Sequence, residues 1–219
     1  MTSPLPIGVL ISGSGTNLQA IIDAIACNTL HATINVVISN RADAYGLERA
    51  RRHGIPTQVI SHKDYTSREA FETELVRVLQ AKKVELVVLA GFMRLLSPTF
   101  IRAFPQRIMN IHPSLLPAFP GMHAQRQALT HGVRVAGATV HFVDEEVDHG
   151  PIIIQAAVPV YPDDTEESLS ARILAQEHTI YPQALQLYAE SRLTIQNNRV
   201  VVLNESRSPA SALRSPEST

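Results

Sequence analysis

The chain has 219 residues, of which 45% are hydrophobic and 18% are charged, and its formal net charge is −1 with histidines neutral. This composition is typical of a soluble globular protein with a hydrophobic core, and it gives no electrostatic reason to expect a nucleic-acid partner. No apolar run approaches the ~20 residues needed to span a bilayer, the N-terminus lacks a basic signal-peptide start, and the single Cys27 cannot form an internal disulfide. We therefore expect a cytoplasmic protein without a membrane partner.

The first half of the chain alternates between apolar strands and helices. Strands are predicted at 7–11, 34–39, 57–60, 85–91 and 108–112, and helices at 17–26, 45–53, 68–82 and 98–104. The strands are apolar throughout, which is typical of a parallel sheet covered on both faces. The sequence therefore predicts an α/β fold with a doubly wound, mostly parallel twisted sheet.

The pattern changes after Gly121. A helix is predicted at 123–131, and the strands at 136–143 and 150–160 are so close in sequence that we expect them to pair antiparallel. A long helix at 165–188 begins with acidic residues and is capped by Asp164 or Thr165. A terminal hairpin at 192–203 turns at Asn197-Asn198. We expect a single domain over 1–205 and a disordered Ser- and Pro-rich tail at 206–219.

The first candidate site is the turn LISGSGTNLQAI between the first strand and the first helix. Backbone N–H groups around Gly13 and Gly15, together with the donors of Thr16 and Asn17, could hold a phosphate at the helix N-terminus. The dinucleotide fingerprint is absent, because Leu18 stands where its third glycine belongs, and a Walker lysine is absent too. A plain glycine-rich turn and a monophosphate site both remain open.

The second candidate site is the segment RIMNIHPSLLPAFPG, in which Asn110 and His112 interrupt an apolar strand. Residues i and i+2 of a strand point to the same side, about 7 Å apart, so the two side chains share a face. The segment ends at the carboxyl edge of the predicted sheet, where α/β proteins bind ligands. The alternative is a polar pair satisfied in the core, but two such residues before a proline loop favour a functional site.

The third candidate site is the acidic loop VDEEVDHGP. A solvated turn explains Glu145 and Glu146. Asp148 precedes the tight Gly150-Pro151 and could orient His112 and hold it protonated. A metal site is conceivable, but its spacing matches no common zinc pattern and we predict no metal. Its ligands would be His141, Asp144, Asp148 and His149. No role is predicted for the other histidines.

Taken together, these segments resemble the phosphoribosylglycinamide formyltransferases, a family of folate-dependent enzymes of purine synthesis. NIHPSLLP alone would indicate only the wider formyltransferase superfamily, and the glycine loop, the length and QEHTIYP narrow the resemblance. It implies a Rossmann-like formyltransferase fold with antiparallel C-terminal strands. A phosphate-binding half would span about 1–105, and a folate-binding and catalytic half about 106–205. The matching segments are VLISGSGTNLQAII, SNRADAYGLERA, LAGFMRLLSP, NIHPSLLP, HFVDEEVDHGPIIIQAAVPV and QEHTIYP.

The resemblance also implies a reaction. The amine of 5-phosphoribosylglycinamide attacks the formyl carbon of 10-formyltetrahydrofolate, giving 5-phosphoribosyl-N-formylglycinamide and tetrahydrofolate in the synthesis of IMP. Asn110, His112 and Asp148 would be the catalytic group. Asn110 and His112 would stabilise the oxyanion, and Asp148 would assist proton transfer. 10-Formyltetrahydrofolate is the co-substrate, no metal is required, and we expect a monomer or homodimer.

By the same resemblance, Gly15, Thr16 and Asn17 would bind the substrate phosphate, and Glu177 would hold its ribose. Leu174 stands where some family members have a polar partner for the nucleotide, so part of the ribose contact is expected to be missing or supplied differently. The residues implied for folate binding are Arg68, Met93, Arg94, Leu95, Leu96, Asn110, Val143 and Asp144.

Three other functions were weighed. Formyltetrahydrofolate deformylase uses the same catalytic group but normally carries an extra N-terminal domain, for which a first strand at Ile7 leaves no room. Methionyl-tRNA formyltransferase needs a C-terminal tRNA-binding domain, and the ~16 residues after Leu203 are too few for a stable core. A non-catalytic nucleotide-binding protein would have no use for the intact catalytic group.

Overall fold

The computed structural model describes residues 3–205, and the predicted tail at 206–219 lies outside the described residues. Its main sheet has seven strands in the order β3-β2-β1-β4-β5-β6-β7. The pairings among β1 to β5 are parallel, and β6 pairs antiparallel with β7, as the sequence predicts. β6 also pairs antiparallel with β5, which the sequence did not predict. These strands are β1 (Leu5–Ile11), β2 (Ala32–Ser39), β3 (Thr57–Val59), β4 (Leu86–Leu89), β5 (Ile108–His112), β6 (Val135–Phe142) and β7 (Ile152–Pro159).

Helices cover both faces of the sheet, and the terminal hairpin forms a separate two-stranded sheet whose turn is at Asn197-Asn198. The predicted helices and strands are all present, with ends shifted by a few residues. Thr165 caps the long last helix in a capping box with Ser168, which settles the choice between Asp164 and Thr165. The elements are α1 (Thr16–Ala26), α2 (Tyr45–Arg52), α3 (Arg68–Ala81), α4 (Pro98–Ala103), α5 (Ala124–His131), α6 (Glu166–Ala189), β8 (Leu193–Gln196) and β9 (Arg199–Val202).

The apolar strands are explained by two hydrophobic cores, one on each face of the sheet. Alternate residues of a strand enter opposite cores: Met109 and Ile111 pack on the side of α1 and α6, and Ile108 packs on the side of α3 and α4. By this alternation Asn110 and His112 face the α3/α4 side. A strand buried on both faces has no polar side to expose, which accounts for the unbroken apolar runs.

Tyr181 of α6 anchors the helix to two neighbouring strands. Its hydroxyl lies 3.0 Å from the carbonyl oxygens of both Leu89, the last residue of β4, and Met109, the second residue of β5. Burial raises the pKa of this phenol well above its ordinary value, so it remains a neutral donor. Glu177 lies one helical turn before Tyr181 and is therefore carried to the same edge of the sheet.

Candidate active site

The glycine loop forms the N-terminus of α1 as predicted. Gly15 is the N-cap residue, has φ +69°, and leaves the first turn of the helix without a side-chain cap. A Cβ at Gly15 would lie 2.6 Å from Gly46 Cα, so both the positive φ and the close approach require glycine. The first-turn N–H groups and the positive end of the helix dipole together make an anion site.

Asn17 and Glu177 meet beside this loop. Asn17 Nδ2 donates a hydrogen bond to Glu177 Oε2 at 2.7 Å, and the two residues are only 9% and 7% exposed. Burial raises the pKa of Glu177, and the Asn17 hydrogen bond opposes this only in part. Asn17 Oδ1 is buried and has no hydrogen-bond partner among the described residues. Asn17, which was predicted to bind the phosphate, and Glu177, which was predicted to bind the ribose, thus form a hydrogen-bonded pair. The acceptor Asn17 Oδ1 is left without a donor among the described residues.

His112 lies at the tip of β5 between two oxygen acceptors. Its Nδ1 is 3.3 Å from Asp148 Oδ2, and its Nε2 is 2.9 Å from the carbonyl oxygen of Phe119. A carboxylate and a carbonyl can only accept, so both nitrogens of the His112 ring face acceptor groups. The sequence predicted the Asp148 neighbour but gave no sign of the Phe119 carbonyl.

Asn110 shares the His112 face and is oriented by a residue to which the sequence assigned no catalytic role. Its Nδ2 lies 3.2 Å from His141 Nε2 and 3.5 Å from Asp148 Oδ1. His141 Nδ1 lies 2.9 Å from the Phe142 carbonyl, and burial lowers the pKa of His141, so the ring is neutral and its Nε2 accepts from Asn110. The antiparallel register pairs Asn110 with His141. Only the register, which the sequence did not define, reveals this contact.

Asp148 reaches the strand tip because its loop is tightly folded. The residue has φ +52°, and its Oδ2 also accepts a hydrogen bond of 2.8 Å from Gly121 N. A Cβ at Gly150 would lie 1.9 Å from the carbonyl oxygen of Phe142, so only glycine fits there. The positive φ of a carboxylate residue at this point is a local strain of the kind found at functional sites.

The remaining acidic-loop residues turn away from this cluster. Asp144 Oδ2 lies 3.0 Å from His149 Nδ1, and its Oδ1 accepts from Glu146 N, so Asp144 is occupied within its own loop. The hydrogen bond that His149 donates to Asp144 raises the pKa of His149. Within residues 3–205 no group of three or more potential ligands is arranged to hold a metal ion. Asp144 and His149 are thus not brought together with His141 and Asp148 as metal ligands.

Four large apolar side chains are exposed in the loops that follow β4, β5 and β6. Met93 and Leu95 follow β4 and are 69% and 63% exposed, and Met122 and Val147, the chain neighbours of Gly121 and Asp148, are 72% and 50% exposed. Leu96 and Val143, in contrast, pack against the α3/α4 core. Of the residues predicted to bind folate, Met93 and Leu95 are thus open to solvent, whereas Leu96 and Val143 are partly buried.

A buried carboxylate joins the two predicted folate segments. Glu72 is 1% exposed and accepts hydrogen bonds from Arg68 Nε at 3.1 Å and from Ser97 N at 2.9 Å, and it also accepts from Ser97 Oγ. Arg68 begins α3, and Ser97 closes the segment that contains Met93 to Leu96. Glu72 therefore holds the arginine and the apolar segment at a fixed separation, a role that the sequence did not suggest.

A basic cavity of about 600 Å³ lies next to this segment. Arg94 and Lys63 line it, together with Arg41, which is paired with Asp43 at 2.8 Å. Burial lowers the pKa of His62, and the charges of Arg94 and Lys63 lower it further. The cavity suits an anionic group.

The His112 cluster and the Asn17–Glu177 pair influence each other electrostatically. Burial raises the pKa of Glu177, and the Asn17 hydrogen bond and, less strongly, the charge of His112 oppose this. This coupling requires the two groups to lie within electrostatic range of each other. The structure therefore brings together the strand tip, the glycine loop and α6. Leu174, one turn before Glu177, is half-buried.

Comparisons with known proteins identify the family. A family model described as formyl transferase matches residues 6–185. Phosphoribosylglycinamide formyltransferase of Escherichia coli is 50% identical over 190 residues, which cover 87% of this chain and 90% of that protein. The chain belongs to the phosphoribosylglycinamide formyltransferase family. It is a formyltransferase of purine biosynthesis.

Two further comparisons support the family. The trifunctional purine biosynthetic protein adenosine-3 of Drosophila melanogaster is 55% identical over 181 residues, which are 82% of this chain but only 13% of that longer protein. The crystal structure of glycinamide ribonucleotide transformylase 1 from Symbiobacterium toebii superposes with a TM-score of 0.92 at 59% identity, covering 93% of this chain and 96% of that one. In the part of the chain that is described, no helix is long and apolar enough to cross a membrane.

Proposed function

We propose that the chain transfers the formyl group of 10-formyltetrahydrofolate to the amine of 5-phosphoribosylglycinamide, with Asn110, His112 and Asp148 as the catalytic group. The observation that carries the proposal is the cluster at the tip of β5, where Asp148 contacts both other members. It lies within electrostatic range of Glu177, beside a glycine loop suited to a phosphate.

The oxyanion is stabilised by donors that are already in place. Asn110 Nδ2 gives one hydrogen to His141, and its other hydrogen faces Asp148 only at 3.5 Å, so this hydrogen is available to the developing oxyanion. His112 Nε2–H donates to the Phe119 carbonyl. A developing anion is a stronger acceptor than a peptide carbonyl and takes over this donor during attack.

Proton transfer completes the reaction without a covalent enzyme intermediate. The amine nitrogen must lose a proton when it bonds to the formyl carbon. Folate N10 must gain a proton when its bond to the same carbon breaks. Asp148 Oδ2 accepts a hydrogen bond from Gly121 N and lies 3.3 Å from His112 Nδ1, so its charge is held at the strand tip. It keeps His112 in the donating form and assists the transfer through water.

The nucleotide binds on the α1 and α6 side. Its phosphate lies at the N-terminus of α1, with Gly15, Thr16 and Asn17, and its ribose hydroxyls approach Glu177. The free Asn17 Oδ1 supports this, since a buried acceptor without a donor is costly unless a ligand supplies one. Leu174 contributes no polar group, so Glu177 carries the ribose contact.

The folate binds on the α3 and α4 side. The exposed Met93 and Leu95 provide apolar walls for a flat pterin, Arg68 and Arg94 attract its carboxylates, and Asn110 reaches its formyl group. Val143 supports the pocket, and Asp144 shapes the loop that closes it. No step of this mechanism requires a metal. The cytoplasmic location and the monomeric or homodimeric state stay predictions.

A spectrophotometric assay of 10-formyltetrahydrofolate consumption, with and without 5-phosphoribosylglycinamide, tests the proposal. Consumption that depends on the nucleotide is expected and would support the transferase. Consumption without the nucleotide would instead identify a deformylase. No consumption under either condition would contradict both and leave a protein that binds without reacting.

A further inference from the structure

The glycine loop, residues 12–16, rests against the first turn of α2. Gly46 N donates to the Gly13 carbonyl at 3.0 Å. A Cβ at Gly46 would lie 2.6 Å from Ile11 Cδ1 and 3.1 Å from Gly15 Cα. The two backbones meet at a distance that only glycine allows, so α2 determines how far the loop rises above the sheet.

Arg49, one turn further along α2, holds the next carbonyl of the loop. Its Nε donates to the Ser14 carbonyl at 2.9 Å, and its Nη1 donates to Gln19 Oε1 at 3.3 Å. The guanidinium carbon lies 5.0 Å from the centre of the Tyr45 ring, which supports the side chain from the other side. Arg49 therefore connects the loop to the body of α1.

These two contacts decide where the loop N–H groups point. In a planar trans peptide the C=O and the following N–H point in opposite directions. The carbonyls of Gly13 and Ser14 are both bound by α2, so the N–H groups of Ser14 and Gly15 are turned away from α2. Consecutive N–H groups turned to one side form an anion-binding nest.

The charge of Arg49 is also unusual for its helix. Arg52 pairs with Glu48 at 2.9 Å, but Arg49 forms no ion pair within residues 3–205. Arg49 lines the groove between α1 and α6 together with Gln19 and His178. Burial lowers the pKa of His178, Asp23 opposes this, and the charge of Arg49 lowers it further. An unpaired cation adds to the positive end of the α1 dipole.

We propose that Arg49 is a positioning residue for phosphate recognition, acting through the Ser14 carbonyl and through its unpaired charge. The proposal rests on the proposed function, since the phosphate is that of 5-phosphoribosylglycinamide. Arg49 does not act on the formyl group. Its effect is therefore confined to the affinity for the nucleotide.

The test compares Arg49→Gln and Arg49→Lys with the control Arg52→Gln. Arg52 lies on the same helix and contacts the same Tyr45 ring at 5.8 Å, but it does not contact the loop. In Arg49→Gln the KM for 5-phosphoribosylglycinamide is expected to rise about tenfold or more, the scale of a lost charged hydrogen bond. The kcat, the KM for the formyl donor and the melting temperature should match those of Arg52→Gln. Arg49→Lys should recover part of the affinity, because it keeps the charge but not the planar fork.

A nucleotide KM in Arg49→Gln equal to that of Arg52→Gln would overturn the proposal, as would a fall in kcat with both KM values unchanged. Inorganic phosphate gives an independent measurement, because its binding should raise the melting temperature of the wild type more than that of Arg49→Gln. An equal shift in the two proteins would also overturn it. If the wild type failed to transfer formyl, the proposed function would fail, and the phosphate measurement would still decide the role of Arg49.

Discussion

Asn17 and Glu177 are 160 positions apart in the sequence, yet the amide nitrogen of one lies 2.7 Å from a carboxylate oxygen of the other. The contact links the first turn of α1 to the middle of α6. It places a buried carboxylate with a raised pKa next to the glycine loop. Two residues predicted to bind different parts of one nucleotide thus depend on each other for orientation.

Replacing Glu177 by Gln should raise stability and lower nucleotide affinity. A carboxyl group whose pKa is raised on folding stabilises the protein at pH values below its ordinary pKa of 4.5. This contribution is lost as the pH rises through the pKa of the group in the folded protein. Gln still accepts from Asn17 without a charge. Urea unfolding near neutral pH should show a more stable variant, while the KM for 5-phosphoribosylglycinamide rises.

The matched control for this prediction is Glu190→Gln at the exposed end of α6. The pKa of Glu190 is lowered by hydrogen bonds from Gln186 and Arg192, so its removal should not stabilise the protein at neutral pH. A Glu177→Gln variant that is less stable than the wild type at neutral pH would contradict the linkage argument.

Two substitutions of Asp148 separate the effect of its charge from the effect of its backbone conformation. Its φ of +52° is tolerated by Asn but not by Ala, because an Asn side chain can bond locally in the left-handed region. Both Asp148→Asn and Asp148→Ala should lose formyl transfer by about 10²–10⁴-fold, the scale of lost acid–base catalysis. Only Asp148→Ala should also lose stability, by about 1–2 kcal/mol in urea unfolding. Near-normal turnover in a folded Asp148→Asn variant would rule out the mechanism.

His112→Ala should show the same loss of formyl transfer, about 10²–10⁴-fold, with a folded protein. Its ring contacts only Asp148 and the Phe119 carbonyl among polar groups of the site, so truncation removes an oxyanion donor. Single-turnover kinetics would separate this loss from product release. A retained chemical rate would place the donor elsewhere.

His141→Phe should lower kcat and remove part of the acid sensitivity. Burial lowers the pKa of His141, so the wild type loses stability as pH falls below the ordinary value of 6.5. Phe retains an aromatic ring at position 141 but offers no acceptor to Asn110. Because the Asn110 amide then loses the hydrogen bond that orients it, kcat should fall about tenfold. Thermal unfolding between pH 5 and 8 and steady-state kinetics check both effects. An unchanged kcat would mean that Asn110 needs no such support.

Glu72→Gln should weaken folate binding without affecting the nucleotide. The variant loses the ionic contact to Arg68 and one acceptor for Ser97, at a cost of about 1–3 kcal/mol in stability. The KM for 10-formyltetrahydrofolate should rise several-fold. Glu74→Gln is the control, because Glu74 pairs only with the exposed Arg77 on the outer side of α3. An equal change in both KM values would indicate general loosening.

The fold was predictable because its signals are local. Apolar strands such as 34–39 and 108–112, separated by helices, predicted the parallel sheet, and the short loop before Gly150 predicted the antiparallel pair. The observed ends of the helices and strands differ from the predicted ends by a few residues, because local geometry such as helix capping determines where an element ends. Thr165 was predicted as one of two candidates for the N-cap of α6, but its capping box with Ser168 was not predicted.

The site was predictable only where chemistry stands out in the sequence. Asn110, His112 and Asp148 were identifiable as polar residues at strand ends and tight loops. His141 was not, because its role depends on the β5–β6 register. Glu72 and Arg49 looked like ordinary helix-surface charges, and only the three-dimensional structure shows one buried and the other bound to a loop carbonyl.

Under the proposed function, the side-chain alternation along β5 would divide the work between the two faces of the sheet. Asn110 and His112 point to the α3/α4 face, where the formyl donor would lie, while Asn17 and Glu177 belong to the α1/α6 face, where the acceptor would lie. The two substrates would then meet at the strand tip from opposite layers. A different acceptor could be accommodated by redesigning α1 and α6 alone, with the formyl-transfer machinery left as it is.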